Sequence, residues 1–258
     1  MKAVMLLEQN LRTLKLPAML REYQKLSREA LASGGSYESY LEGLTELEVS
    51  QRMSNAIGNR IRAAMFPMLK DMETFDFTQC PGVNKQRVME LTRCSWLGEK
   101  ENVCLIGNSG TGKTHVAIAL GQAACRHGKH VRFYTAAHLV NQLEEAQKQF
   151  RLEKLITALS RLDLLIVDEL GYLSLSEGGA ELLFQVFAER HERSSVLVTS
   201  NLPFGEWGKV FKSERMTAAL LDRLTHRCQI LEMNGESFRF RQSAGRRKEK
   251  SGEALIGK

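Results

Sequence analysis

The sequence lacks any long uninterrupted run of apolar residues. No apolar stretch approaches the roughly 18 residues that suggest a membrane-spanning helix. The opening segment, MKAVMLLEQNLR, reaches Glu8 after a short apolar stretch, which is too short for the core of a signal peptide. These absences argue against a membrane protein and against a secreted one. We therefore expect a cytoplasmic protein with no membrane partner.

Paired cysteines and metal-spaced histidines are also missing. The five cysteines form no C-x-x-C pair and their number is odd, which argues against a disulfide scaffold and against a zinc site. His127 and His130 are three residues apart, but the glycine between them is typical of a helix end followed by a turn. The sequence therefore predicts that most cysteines are buried thiols. Its histidines do not show the spacing that is typical of metal ligands.

Acidic residues are in slight deficit, and the imbalance is local. The chain of 258 residues carries 36 Lys and Arg against 30 Asp and Glu, a formal net charge of +6. From Arg239 to Lys258 there are seven Lys and Arg against two Glu. We expect residues 242–258 to form a basic, disordered tail. A basic balance of this kind favours a polyanionic partner but does not identify one.

Hydrophobic periodicity divides the rest of the chain. Residues 1–65 show apolar residues at helical spacing, with Pro17 suited to a first helical turn and Ser36 suited to a helix cap. They predict a small all-helical N-terminal domain. Residues 66–100 predict a connector with one short helix near 83–94.

Residues 101–241 follow a different pattern, in which apolar strands alternate with helices. The predicted strands are residues 103–106, 131–135, 164–167, 195–199 and 228–233. Such alternation predicts an α/β domain with a parallel five-stranded sheet and helices on both of its faces.

A phosphate-binding loop follows the first predicted strand. GNSGTGKT matches the pattern G-x-x-x-x-G-K-[ST]. Glycines let backbone N–H groups converge on phosphate oxygens, and the following helix adds partial positive charge. Lys113 is expected to contact the β- and γ-phosphates, and the Thr114 hydroxyl is expected to ligate Mg²⁺. The predicted nucleotide-binding residues of this loop are Gly107, Asn108, Ser109, Gly110, Thr111, Gly112, Lys113 and Thr114.

Two acidic residues end the third predicted strand, LLIVDE. Asp168 is expected to join the nucleotide site by holding the Mg²⁺ shell. Glu169 is expected to act as general base on a water that attacks the γ-phosphate. A kinase needs no such base, so Glu169 favours hydrolysis. The alternative is that both residues are simply a polar strand end.

Two further elements extend the predicted site. If the strand SVLVT lies between the first and third strands, Asn201 at its end can position the attacking water; the alternative is a turn-forming Asn. Arg223 and Arg227 lie one helical turn apart in MTAALLDRLTHRC. They are either a solvated face or an arginine finger that reaches a neighbouring subunit's γ-phosphate.

These four elements, in this order, resemble those of AAA+ P-loop NTPases. GTGKTH is similar to the loop of the DnaA/DnaC branch, while LIVDELGYLSL and NGESFRFR resemble the IstB family of transposition helper ATPases. The resemblance covers about residues 5–242. It implies ATP and Mg²⁺ as cofactors, Arg223 as the preferred finger, and a bacterial cytoplasmic location. Only about 25 residues follow Met233, so we expect no full C-terminal lid.

The resemblance also implies partners. It implies ATP-dependent self-assembly into a homo-oligomer on double-stranded DNA, largely independent of sequence, and cooperation with a transposase. Lys148, Arg151 and Lys154 lie in a segment long enough for two inserted helices, and they form either a DNA-contacting stripe or a solvated face. The alternatives are a DnaC-like helicase loader and a nucleotide-gated binding module without appreciable hydrolysis.

Overall fold

The computed structural model describes residues 2–80 and 82–235. It divides into two compact units, Met1–Asn59 and Arg60–Lys258. The division falls before the boundary expected at residue 65, and the domain limits drawn from the sequence stay predictions. The expected basic tail and the expected lack of a full lid concern residues outside the described ones. In the described part, no helix is both long and apolar enough to cross a membrane.

Three helices begin the chain: α1 (Lys2–Thr13), α2 (Pro17–Ser33) and α3 (Tyr37–Ala64). Pro17 occupies the first turn of α2, where its missing N–H is not needed. Gly34 ends α2 in the left-handed conformation (φ 67°). Ser36 Oγ accepts a hydrogen bond from the Ser39 N–H at 3.2 Å. Pro17 and Ser36 therefore occupy the positions at helix starts that the sequence predicts.

The smaller unit has a small core of Met19, Tyr23 and Leu44. Glu48 is buried beside it, and its carboxylate accepts hydrogen bonds from the Ala18 and Met19 N–H groups at 2.9 and 3.3 Å. This carboxylate satisfies the N-terminus of α2, which has no capping side chain of its own. The apolar residues at helical spacing in this unit are only partly buried. Four of them are exposed: Val4, Leu7, Leu14 and Leu47.

The larger unit contains the predicted sheet. Its strands are β1 (Asn102–Ile106), β2 (Val131–Thr135), β3 (Leu164–Leu170), β4 (Ser195–Ser200) and β5 (Cys228–Glu232). They run parallel in the order β2-β3-β4-β1-β5. The prediction of a parallel five-stranded sheet is confirmed.

Helices cover both faces of the sheet. The α-helices after residue 80 are α4 (Lys85–Leu91), α5 (Ser95–Gly98), α6 (Lys113–Arg126), α7 (Ala136–Lys148), α8 (Leu152–Ser160), α9 (Glu177–Arg190), α10 (Gly208–Phe211) and α11 (Glu214–Thr225). Leu165 and Val167 belong to one hydrophobic cluster, and the alternate residues Leu164 and Ile166 belong to another. Because successive side chains of a strand point to opposite faces, a separate core lies on each face.

The connector helix is shorter than expected, because α4 ends at Leu91 rather than near residue 94. The Trp96 indole N–H donates to the Leu91 carbonyl at 2.9 Å, which satisfies the end of the helix. All five cysteines are free, and four of them are buried. Burial raises the pKa of both the Cys94 and the Cys125 thiol to about 11.

The strand order determines the position of the site. Since β4 lies between β1 and β3, the carboxyl ends of these three strands are neighbours. The loop after β1, the acidic residues of β3 and the polar end of β4 therefore meet at one edge of the sheet, which is where open α/β sheets bind ligands.

Candidate functional site

The loop between β1 and α6 requires glycine for two reasons. Gly110 and Gly112 have φ values of 82° and 90°, in the left-handed region that side chains rarely adopt. At Gly107 (φ 149°) a Cβ atom would lie 2.2 Å from the Met233 carbonyl oxygen. Glycine at the fourth and sixth positions of the loop is thus set by backbone conformation, and glycine at the first position also by close backbone contact.

Lys113 begins α6 and is nearly buried. Its ammonium group donates to the carbonyl oxygens of Gly107 at 2.6 Å and Asn108 at 2.7 Å. The Thr111 hydroxyl also donates to the Asn108 carbonyl, at 2.9 Å. These bonds hold the loop in a curved shape in front of the N-terminus of α6, where backbone N–H groups and positive charge favour an anion.

Asp168 lies beside Thr114 at the end of β3. The Thr114 hydroxyl is 3.0 Å from both carboxylate oxygens, and the Thr199 hydroxyl donates to Oδ1 at 2.5 Å. Asp168 is 3% exposed. Burial raises its pKa, and the hydrogen bonds from Thr199 and Thr114 and the charge of Lys113 oppose that rise. A hydroxyl and a carboxylate side by side are hard oxygen ligands of the kind that Mg²⁺ prefers.

Glu169 has an unusual backbone conformation. Its φ is 61°, in the left-handed region. Val167 is paired with Val198 and Leu170 with Ser200, so β3 has one extra residue relative to β4. The Glu169 N–H leaves the sheet ladder and donates to the Thr199 hydroxyl at 2.9 Å. This bulge leaves Asp168 buried and Glu169 exposed.

One cleft of about 450 Å³ brings most of the predicted residues together. It is lined by Pro67, Met68, Lys70, Ser109, Gly110, Gly112, Lys113, Thr114, His115, Ile118, Glu169, Tyr172, Thr199 and Asn201. The loop, Glu169 and Asn201 therefore face one space. The geometry is that of a nucleotide cleft in which a carboxylate and an amide share one space with the phosphate loop.

Thr199 and the connector have roles at the site that the sequence pattern does not predict. Thr199 links Asp168 to the Glu169 backbone through its single hydroxyl. It is a buried polar residue at a strand end, which is a signal that the sequence contains. The connector residues Pro67, Met68 and Lys70 line the cleft, although their segment has no periodicity to predict that position.

The connector is fixed to α6 by several hydrogen bonds. His115 Nε2 lies 2.9 Å from the Asp71 carbonyl oxygen, and the Gln122 amide donates to the Lys70 carbonyl at 2.8 Å. Arg126 pairs with the Asp71 carboxylate at 2.6 Å. Phe75 covers Gly112 so closely that a Cβ there would meet its ring at 2.6 Å. The connector thus forms one wall of the cleft.

Arg223 and Arg227 do not line the cleft. The Leu224 carbonyl accepts a hydrogen bond from Asn102, the first residue of β1, whereas the phosphate loop follows the last. Five residues of strand span roughly 16 Å. Arg223 is half-buried, with its guanidinium 5.2 Å from the Phe184 ring centroid. Arg227 is exposed and donates to the Glu99 carbonyl at 3.3 Å.

The basic residues expected to contact DNA lie together around the turn between α7 and α8. Lys148 ends α7, Arg151 precedes α8 and Lys154 lies in its first turn, and all three side chains are exposed. Phe150, in the same turn, is 98% exposed with φ 56°. A fully exposed aromatic side chain among cations is a feature that the sequence interpretation did not single out.

The fold and the loop are those of AAA+ P-loop nucleotide-binding proteins. Similar solved structures include AMPPCP-bound DnaA from Aquifex aeolicus, with TM-score 0.56 and 22% identity over 72% of this chain and 56% of that one. A DNA replication initiation factor aligns with TM-score 0.50 and 24% identity over 64% of this chain and 49% of that one. The chain thus covers about half of each of these two proteins, and the likeness concerns the fold.

Residues 9–246 match the family model described as IstB-like ATP binding protein. The chain belongs to this family. It is 38% identical over 89% of its length to a protein from Geobacillus stearothermophilus described as an ATP-binding protein of insertion sequence IS5376, covering 91% of that protein. It is 35% identical over 92% of its length to the corresponding protein of insertion sequence IS21 from Pseudomonas aeruginosa, covering 89% of it. The predicted family is confirmed.

Proposed function

We propose that this ATPase assembles on double-stranded DNA in an ATP-dependent manner, hydrolyses ATP with Mg²⁺, and assists the transposase of an insertion sequence in the bacterial cytoplasm. The observation that carries the hydrolytic part is the position of Glu169. An exposed carboxylate shares a cleft with the phosphate loop and lies next to the buried Asp168. The insertion-sequence part rests on the relatives.

Each residue of the cleft has a proposed task. Lys113 and the loop amides hold the β- and γ-phosphates, and Thr114 with Asp168 hold Mg²⁺, which supplies charge neutralisation for phosphoryl transfer. Glu169 accepts a proton from the attacking water, and Asn201 orients that water. The other loop residues, Asn108, Ser109 and Thr111 among them, position backbone N–H groups toward the nucleotide.

The proposed self-assembly is supported by Arg223, in α11, and by Arg227, two residues after the end of that helix. Neither arginine lines the cleft of its own chain, so only a second copy can bring one to a γ-phosphate. Arg223 is the choice that the family resemblance implies. Arg227 is the more exposed residue and therefore needs less rearrangement to reach a neighbour. We propose that one of them acts as a finger in trans.

A mixing experiment tests the trans role and separates the two arginines. Chains carrying Lys113→Ala cannot hold nucleotide but keep both arginines, whereas chains carrying Arg227→Ala or Arg223→Ala keep the cleft. Each variant alone is expected to be inactive if its residue is essential. Mixing the Lys113 variant with the true finger variant should restore hydrolysis, because mixed interfaces then contain one complete site. An absence of recovery with both arginine variants would contradict catalysis at an interface.

DNA binding is proposed for the turn that carries Lys148, Arg151 and Lys154. Three exposed cations that make no ion pair within the described residues are available to phosphates. Contacts to phosphates carry no base information, so binding is expected to depend little on sequence and strongly on salt.

The function is tested by measuring ATP turnover with and without duplex DNA, and by capture of an insertion-sequence transposase. We expect DNA to stimulate turnover in the wild type, and Glu169→Gln to bind ATP but turn it over about 10²–10⁴-fold more slowly. Transposase should be retained on wild-type protein with ATP and DNA. Recovery of a replicative helicase without transposase would instead indicate a helicase loader.

A further inference from the structure

We propose a second metal site, for a divalent transition-metal ion such as Zn²⁺, formed by His191, Glu192 and His226. Each residue offers one ligand atom, and these three atoms lie within 4.8 Å of one another. None of the three residues lines the nucleotide cleft. The site is therefore distinct from the Mg²⁺ position next to Asp168, and its donors differ in chemistry.

The two histidines are brought together by the ends of two helices. His191 directly follows α9 and His226 directly follows α11. Their imidazole rings lie edge to face, with centroids 5.9 Å apart. The carbonyl ends of helices carry partial negative charge, so two C-termini that meet at one place favour a cation there. Histidines 35 positions apart in sequence give no motif that would reveal this.

His191 has one ring nitrogen beside a backbone carbonyl, which leaves its other nitrogen for a ligand. Its Nδ1 lies 3.1 Å from the Arg223 carbonyl oxygen. A carbonyl can only accept, so Nδ1 carries the proton and Nε2 keeps its lone pair for a metal. A backbone carbonyl on the second ring nitrogen is the usual support of a metal-bound histidine.

Glu192 completes the set from the turn after α9. Its backbone is in the left-handed region (φ 59°), and its Oε1 lies 3.9 Å from His226 Nδ1. Bond lengths near 2.1 Å around a tetrahedral ion place donor atoms about 3.4 Å apart. The donors must therefore close by roughly 1 Å. The Glu192 and His226 side chains are 65% and 57% exposed, so both can move without disturbing the core.

The donor set selects the class of ion. Two imidazole nitrogens and one carboxylate suit Zn²⁺, Co²⁺ or Ni²⁺, whereas Mg²⁺ and Ca²⁺ prefer oxygen ligands. Three protein ligands leave a fourth position for water or for a group from another molecule. Two of the five thiols compete poorly, because burial raises the pKa of both Cys94 and Cys125 to about 11.

The position gives the ion a structural consequence. His191 contacts the carbonyl of Arg223, and His226 immediately precedes Arg227. A bound ion would fix the last turn of α11, which carries Arg223, and residues 226–227, which include Arg227. These are the two arginines proposed to reach a neighbouring subunit. Metal occupancy at this site therefore acts on the same segment as assembly, from outside the nucleotide cleft.

The test is a calorimetric and spectroscopic titration of the untagged full chain, without nucleotide and with excess Mg²⁺ in the buffer. We expect one Zn²⁺ or Co²⁺ to bind per chain. The double variant Glu192→Gln/His226→Gln should lose at least about tenfold in affinity, or 1.4 kcal/mol. His127→Gln is the matched control, since it removes an exposed histidine elsewhere and should bind as the wild type does.

Two further readouts keep the test decisive. Zn²⁺ should raise the melting temperature of the wild type and of the control but not of the double variant, because only an ion bound to the native state stabilises it. Bound Co²⁺ should lack sulfur-to-cobalt charge-transfer absorption. Equal affinity in the double variant, a thiolate absorption band, or no binding at millimolar metal would each overturn the proposal. None of these results bears on ATP hydrolysis.

Discussion

Replacing Glu169 by glycine is expected to stabilise the protein while abolishing its activity. Glu169 is held with φ 61° at the bulge of β3, a conformation in which only glycine avoids a steric penalty. The hydrogen bond that fixes this residue comes from its backbone N–H to Thr199, so glycine keeps it. What glycine removes is the strain and the carboxylate together.

The size of the gain follows from two opposing contributions. A non-glycine residue in the left-handed region costs about 1–2 kcal/mol. The extra freedom of glycine in the unfolded chain returns about 0.5–1 kcal/mol of that. The net stabilisation is about 0.5–1 kcal/mol. For a unit of the size of Arg60–Lys258 this raises the melting temperature by about 1–4 °C.

The assay compares Glu169→Gly with Glu169→Gln by thermal and denaturant unfolding and by ATP turnover. Both variants should lose about 10²–10⁴-fold in turnover, because neither has a base. Only the glycine variant should gain stability. Lys100→Gly is the matched control, since Lys100 is exposed with φ 58° in the turn before β1. It should gain similar stability and keep full turnover.

A lower unfolding temperature for Glu169→Gly than for Glu169→Gln would refute this prediction. That result would mean that the left-handed conformation carries no strain in the native state, or that the carboxylate itself stabilises the fold. Retention of turnover in the glutamine variant would separately remove Glu169 from the general-base role.

Three other outcomes are expected, from one glycine in each of the two units and from one basic surface. Gly107→Ala should cost about 1–3 kcal/mol of stability, because its new Cβ atom would lie 2.2 Å from a backbone oxygen. Gly43→Ala, which adds a Cβ atom to open space within a helix, should instead gain about 1 kcal/mol, and chemical denaturation distinguishes the two. A variant that lacks the three cations Lys148, Arg151 and Lys154 should bind DNA of every sequence more weakly. The slope of log K against log salt should fall by up to about 2.7. A binding titration at several salt concentrations would measure both changes. An unchanged slope would leave these residues as a solvated face.

The sheet and the phosphate loop could be predicted because their signals are local. Apolar runs of four to six residues fix the strands, and the glycine spacing of the loop is required by backbone contacts that any such loop makes. The position of Asn201 was conditional on the strand order, and β4 does lie between β1 and β3.

Other features depend on contacts between distant parts of the chain. The bulge at Glu169 arises from pairing with β4, and a strand pattern alone gives a regular alternation there. The connector has little periodicity, yet His115, Gln122 and Arg126 of α6 bind it and make it a wall of the cleft. The pairing of His191 and His226 follows from the packing of two helix ends, which the spacing of the two histidines in the sequence does not indicate.

The most direct test of ATP-dependent assembly is the mass of the Glu169→Gln protein by sedimentation on duplex DNA with ATP and Mg²⁺. The variant keeps the phosphate loop and slows hydrolysis, so assembled species should persist. We expect complexes of several copies that require both ATP and DNA, and that revert to smaller species with ADP. Monomers under every condition, or equal assembly without ATP, would contradict sites completed between neighbouring copies.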